Sequence, residues 1–199
     1  MELADPALTA IRRHHLSPSA WIDRATGWVV GQQALFSELR DGLSWWTHER
    51  TMYDGNVWVP RLMASLPSDG LHPMLARMQG ALTARYGEHF DRVSFALYRD
   101  GADSVAWHRD RGLRERADSV MALVSLGGPR PFCMRPHRRV GSASSRRRSV
   151  MWSCGWGDLL VMGGSAHQDW EHGVPKVRHA EPRICVMFRP SYTVPPRPV

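Results

Sequence analysis

Trp107-His108-Arg109-Asp110 is the segment of the chain with the most evident chemistry. If it runs as a strand, residues two apart point to the same side, so His108 and Asp110 aim at one point while Arg109 faces away. An imidazole nitrogen and a carboxylate oxygen there can hold a divalent metal, given a third ligand. Two histidines are candidates: His172, in Asp169-Trp170-Glu171-His172-Gly173, and His167. Two histidines and one carboxylate occupy one face of an octahedron. The other positions stay open for substrate and O2, as in non-haem Fe(II) oxygenases. The His-x-Asp pair by itself also fits a strand histidine hydrogen-bonded to a loop aspartate.

A second signal is Arg183-Ile184-Cys185-Val186-Met187-Phe188-Arg189. Ile184, Val186 and Phe188 alternate onto one face, and Arg183, Cys185, Met187 and Arg189 share the other. Two arginines turned inward are costly without anionic partners. A dicarboxylate would supply them through charge-assisted, often bidentate, hydrogen bonds. Their backbones stand roughly 20 Å apart at about 3.3 Å per residue, so both side chains would lean toward a shared acid. A solvated face is the plain alternative.

These residues need a scaffold. The chain has 199 residues, 43% hydrophobic and 23% charged, which suits one soluble domain with its own core. Residues 1–92 read as a helical segment. Leu35, Leu39, Leu43 and Trp46 recur at helical spacing around 32–49, and Leu75, Met78, Leu82 and Tyr86 do so around 73–86. Pro73 suits a first helical turn and Gly87 a stop. Residues 93–190 read as short strands with frequent breakers. Candidates are Val93–Arg99, Ser104–His108, Ser119–Leu126, Pro131–Arg135, Ser149–Ser153, Asp158–Met162 and Arg183–Arg189. That density predicts an antiparallel sandwich or jelly roll. Residues 191–199 form a Pro-rich tail.

Together these pieces resemble the AlkB family of Fe(II)- and 2-oxoglutarate-dependent dioxygenases over about residues 50–190. The matching text is Val59-Pro60-Arg61-Leu62, Leu97-Tyr98-Arg99-Asp100-Gly101, Trp107-His108-Arg109-Asp110, Val124-Ser125-Leu126-Gly127, the run from Gly157 to Gly164, Asp169 to Lys176, and Pro182 to Arg189. The resemblance implies a mainly β fold with flanking helices (α+β), a double-stranded β-helix of the jelly-roll type. It implies iron ligands at His108, Asp110 and His172. Arg183 and Tyr98 would bind the distal carboxylate of 2-oxoglutarate, and Arg189 would lie near the carboxylate that chelates iron. Residues 1–92 would carry a nucleotide-recognition lid and 93–190 the dioxygenase core. Three positions depart from the family pattern: Ala96, Cys185 and Met187 stand where it has Asn, Asn and Thr.

The implied activity is oxidative dealkylation of N-alkylated bases in DNA, with RNA as the second candidate, consuming O2 and yielding succinate, CO2 and formaldehyde. A base in a duplex must be flipped out to reach such a centre. Met52, Tyr53, Trp58, Arg61, Arg111 and Trp170 are the candidate substrate contacts, with core packing as the alternative for the aromatic ones. Arg111 and Gly112 stand where family members that repair DNA often have acidic residues. The net charge of +7 and the arginines between Arg135 and Arg148 suit a phosphate backbone. Two further readings stay open: the same iron chemistry on a substrate that is not nucleic acid, and a catalytically weak nucleic-acid-binding module. Cys133, Cys154 and Cys185 form no CxxC pair, so free thiols in a reducing, cytoplasmic compartment are expected. The opening residues lack a signal-peptide pattern and no apolar run would span a bilayer. A monomer is expected, with no membrane partner.

Overall fold

The computed structural model of the chain describes residues 1–52, 55–67, 70–110, 112–137 and 149–192, with backbone alone at 48–52 and 55–58. The chain opens with strands β1 (Glu2–Leu3), β2 (Arg12–His15), β3 (Ala20–Ala25) and β4 (Val29–Val30), then helix α1 (Gln32–Gly42). A hairpin follows, β5 (Trp46–Met52) and β6 (Gly55–Ser65), then helix α2 (Pro73–Tyr86). The remaining strands are β7 (Arg92–Tyr98), β8 (Val105–His108), β9 (Met121–Gly127), β10 (Arg130–Pro136), β11 (Val150–Cys154), β12 (Asp158–Gly164), β13 (Trp170–Val174) and β14 (Arg183–Arg189). A single helical turn, α3 (Ala166–Asp169), joins β12 to β13.

Two antiparallel sheets dominate. The larger runs β2-β3-β12-β9-β14-β7-β6-β5 and the smaller β11-β10-β13-β8. Strict alternation along the central strands sorts side chains into two clusters. Ile184, Val186 and Phe188 join Val124, Val161 and Phe95 against Leu35, Leu39, Met78 and Leu82 of the helices. Cys185 and Met187 join Leu123, Leu160 and Tyr98 against Phe132, Met134, Trp170 and Val174 of the smaller sheet. The helices therefore cover one face of the large sheet, and the smaller sheet closes the other. This is the expected mainly β, jelly-roll architecture.

α2 has the predicted bounds for the predicted reasons. Pro73 opens it, the His72 side chain accepts from the Met74 N–H, and Gly87 ends it at φ 72°. α1 departs from its pattern. It stops at Gly42, with Leu43 already extended at ψ 144°, and the chain turns into β5 at Trp46. Leu43 stays buried while Trp46 is exposed, so the apparent helical stripe crosses an element boundary. Residues 1–92 are also less helical than their text suggested. β3 pairs with β12 and β6 with β7, so both edges of the large sheet come from this region. Asp23 on β3 is fully buried and accepts a bidentate pair from Arg13 and a bond from the Tyr86 hydroxyl, which ties this edge to α2.

Candidate metal centre

β8 and β13 run antiparallel, and His108 and His172 are direct cross-strand partners. Opposed residues in a ladder hold their Cβ atoms about 5 Å apart, so pairing alone brings two imidazoles together. Their ring centroids are 4.3 Å apart, tilted by 53°. The next pair is Val174 with Val105, so the register advances two residues on β13 and three on β8. The extra residue on β8 is a bulge, which re-aims side chains at a strand end. Ala106 and Trp107 are accordingly both exposed. Within the bulge His108 Nδ1 lies 2.9 Å from the Ala106 carbonyl, which fixes the ring and makes Nε2 its atom for an ion. Gly173 fits the crowding, since a Cβ there would stand 3.0 Å from the Val105 carbonyl.

Asp110 follows the end of β8. Its Oδ2 lies 3.4 Å from His172 Nε2 and its Oδ1 3.5 Å from Arg189 Nη2. One ligand atom each from His108, Asp110 and His172 fall within 4.8 Å of one another. Arg109 points elsewhere, as the alternation requires, and donates to the Gln168 carbonyl at 2.9 Å. Burial works to raise the Asp110 carboxyl, but His172, Arg189, His167 and His108 outweigh it and hold the group well below the usual carboxylate range. Burial pushes His172 down to about 3, against the pull of Asp110. Near neutrality the cluster is thus a carboxylate beside neutral imidazole, the state a metal ion needs. Asp110 Oδ2 is buried without a hydrogen-bond partner. The donor set and this orphaned oxygen fit Fe(II).

A cluster of cationic side chains lies on the same interior face. Arg183 pairs across the ladder with Tyr98, and its guanidinium sits 4.7 Å from the Tyr98 ring centroid. Arg61 donates to the Tyr98 hydroxyl at 2.9 Å. Arg130 is fully buried and spends Nη1 and Nη2 on the carbonyls of Asp100, Asp103 and Pro175, leaving only its Nε without a partner among the described residues. Arg183 is almost as buried, and its Nε and Nη1 have no partner among the described residues. Desolvation and Arg183 together push Arg130 below its ordinary value, a sign of surplus positive charge. A buried cation without a counter-charge calls for an anion, and a carboxylate of 2-oxoglutarate fits. Arg189 donates to Ser94 at 2.9 Å and rests 3.4 Å from Met187 Sδ. Ala96 and Cys185, two of the three positions that depart from the family pattern, face each other across the ladder, while Met187 pairs with Ser94.

A cavity of about 170 Å³ opens onto His108 and Asp110 and is also lined by Trp46, Val59, Arg61, Met63 and Val105. Trp46 is 45% exposed there. Sequence reasoning missed it by assigning it to the helical stripe; the usable signal was an aromatic pair, Trp45-Trp46, just beyond Gly42. Of the expected substrate contacts, Arg61 reaches this cavity. Trp170 is buried in the core beside Val174, because it alternates inward with His172. Met52 and Trp58 lie on β5 and β6, described by backbone alone, and Tyr53 and Arg111 lie outside the described residues. Arg135 belongs to β10, pairs with Glu171 at 2.8 Å and lies over Trp107, so it is not a loop residue; Arg138 to Arg148 lie outside the described residues. His167, the rival ligand, stands outside the triad, with Nδ1 3.8 Å from Asp110 Oδ2.

The chain is similar to known proteins over most of its length. The profile of the 2OG-Fe(II) oxygenase superfamily matches residues 35–189. The chain is 34% identical over 133 residues to human alpha-ketoglutarate-dependent dioxygenase alkB homolog 3, covering 65% of this chain and 46% of the relative. It is 31% identical over 120 residues to the Arabidopsis thaliana DNA oxidative demethylase ALKBH2, covering 52% and 38%. The chain thus spans less than half the length of these curated relatives. Among solved structures, OsALKBH1 superposes with a TM-score of 0.59 at 14% identity, over 90% of this chain and all of that one. A 2OG-Fe(II) oxygenase family oxidoreductase from Burkholderia pseudomallei superposes with a TM-score of 0.56 at 13% identity, over 87% and 85%. The relatives bear out the AlkB resemblance read from the motifs. No helix among the described residues is long and apolar enough to cross a membrane.

Proposed function

The chain belongs to the 2OG-Fe(II) oxygenase superfamily, and from that premise we propose that it oxidatively dealkylates N-alkylated bases in DNA or RNA. The observation that carries the reading is a compact His108-Asp110-His172 cluster opening onto one cavity, with an unpaired buried arginine on the same interior face. His108, Asp110 and His172 would hold Fe(II). Arg183 and Tyr98 would take the distal carboxylate of 2-oxoglutarate, and Arg189 would stand beside its iron-chelating end. Iron with 2-oxoglutarate supplies oxidation of an N-alkyl C–H bond by O2, with succinate and CO2 formed from the cosubstrate and formaldehyde leaving the base after methyl oxidation.

The protein's own contribution is geometry and charge. Asp110 enters as a carboxylate because three imidazoles and Arg189 surround it. Arg183 offers its Nε and Nη1 donors without a competing acceptor among the described residues. Arg61 orients the Tyr98 hydroxyl and also lines the cavity, which couples the cosubstrate pocket to the substrate side. A flipped base entering the cavity meets the exposed indole of Trp46. Base–aromatic stacking is worth about 1–3 kcal/mol. The free thiols of Cys133, Cys154 and Cys185 support a reducing, cytoplasmic setting.

The test is steady-state turnover of an N-methylated oligonucleotide by wild type and Trp46→Ala. The expected result is KM raised about 5- to 150-fold for the methylated strand, following the stacking energy, with uncoupled 2-oxoglutarate consumption retained. Equal KM values in the two proteins would remove Trp46 from the substrate site. No turnover of methylated DNA or RNA by wild type would remove nucleic acid as the substrate.

A further inference from the structure

His167 is wholly buried, and among the described residues neither ring nitrogen has a hydrogen-bond partner. The Met162 backbone lies beside the ring and favours its protonated form, against the desolvation that burial imposes. Buried polar groups are almost always paired, so a buried imidazole this poorly satisfied calls for an explanation. Asp110 Oδ2 is also buried and unpaired, and it is 3.8 Å from His167 Nδ1. His167 Nδ1 and Asp110 Oδ2 therefore face each other across a gap slightly too long for a bond, with His172 Nε2 3.4 Å from the same oxygen.

The turn that carries His167 is held on every side. The Ser165 N–H donates to the Ser19 carbonyl at 2.9 Å, and the two serine hydroxyls are 2.9 Å apart. Arg109, between the two ligand positions of the His-x-Asp motif, donates to the Gln168 carbonyl. The His137 N–H donates to the Asp169 carbonyl at 2.7 Å. The motif that supplies His108 and Asp110 thus also anchors the segment that aims His167 at Asp110. On the far side of the carboxylate, Arg189 approaches Oδ1.

We propose that His167 is a positioning residue for Asp110, its Nδ1–H donating to Oδ2 in the metal-loaded protein and fixing the rotation of the carboxylate. A carboxylate oxygen accepts in two lone-pair directions. One goes to His167 and the other is left for the ion, while Arg189 restrains Oδ1. This role rests on the metal reading above. Partners behind the ligands typically govern metal affinity by 10- to 100-fold.

The test compares wild type, His167→Leu and His167→Asn, the last keeping an N–H near the Nδ1 position. Co(II) affinity is measured by competition titration, the visible spectrum of the Co(II) protein is recorded, and metal-free Tm is read by calorimetry. His167→Leu is expected to weaken Co(II) binding about 10- to 100-fold and alter the spectrum. Its metal-free Tm is expected to be unchanged or higher, since an unpaired buried polar group is gone. His167→Asn should recover affinity to within a few-fold. Wild-type affinity and spectrum in His167→Leu would overturn the positioning role alone. A wild-type protein that binds no Co(II) would overturn the metal reading with it. A loss beyond about a thousandfold in both variants, far above the usual range, would overturn positioning in favour of direct ligation.

Discussion

Replacing Arg183 by Met separates what the arginine does for the fold from what it does for the cosubstrate. The guanidinium is buried on β14, and its Nε and Nη1 lack partners. In the cosubstrate-free protein this cation is desolvated without a counter-charge, an arrangement that often costs more than a well-packed apolar side chain of similar volume. Arg183→Met should therefore leave the Tm of the ligand-free protein unchanged or raise it. Binding should move the other way. Hydrogen bonds to charged groups contribute about 1.5–3 kcal/mol each, so the two vacant donors carry about 3 kcal/mol at the low end. At about 1.4 kcal/mol per decade, 2-oxoglutarate affinity should fall by about 100-fold or more. The assay is thermal unfolding of the Mn(II)-loaded protein against 2-oxoglutarate concentration, without O2. An unchanged 2-oxoglutarate midpoint would refute the anchor. A large loss of ligand-free stability would refute the claim that the cation is uncompensated.

His108→Ala or Asp110→Ala should abolish turnover and bound iron while keeping the fold; undiminished succinate formation in either variant would contradict the ligand assignment. Gly173→Val should press a Cβ against the Val105 carbonyl, already 3.0 Å away, and disturb the pairing that faces His108 to His172. We expect a loss of about 1–3 kcal/mol with weakened Co(II) binding, and normal values of both would show that the bulge tolerates a side chain. Metal-free stability should fall with acid. Burial depresses folded His167 to about 4 and His172 to about 3, so below the unfolded value near 6.5 the unfolded chain binds more protons. Their stabilisation is present above about pH 6.5 and is lost as pH falls through the folded values; the depressed Asp110 carboxyl acts in the same direction at lower pH. Each histidine adds up to about 1.4 kcal/mol per pH unit across its window. A Tm independent of pH from about 6.5 down to about 4 would contradict buried neutral imidazoles.

Where local pattern and tertiary environment agree, the chain could be read directly. The alternation of Ile184, Val186 and Phe188 against Cys185 and Met187 assigned both faces of β14, because a central strand is buried on both sides and its period survives. α2 was legible because its Pro73 and Gly87 punctuation is local chemistry. β5 was not, because Leu35, Leu39, Leu43 and Trp46 keep helical spacing across a boundary that only the hairpin with β6 imposes. β13 has no alternating apolar signature, since Glu171 pairs with Arg135 outward and Gly173 sits at a bulge. The His-x-Asp motif carried its own geometry in a two-residue period, whereas the approach of His167 depends on how a single helical turn packs. Trp170 as a lone aromatic fitted stacking or core packing equally, and the inward face of β13 buries it.

The most direct test of the account is reconstitution with Fe(II) and 2-oxoglutarate without O2, followed by addition of O2 with an N-methylated oligonucleotide. Succinate and demethylated base are counted in the same samples. The account predicts that both appear together in matching amounts, and that neither forms with Asp110→Ala. Succinate without demethylated base would contradict the nucleic-acid substrate. Neither product from a protein with iron bound would contradict the dioxygenase reading itself.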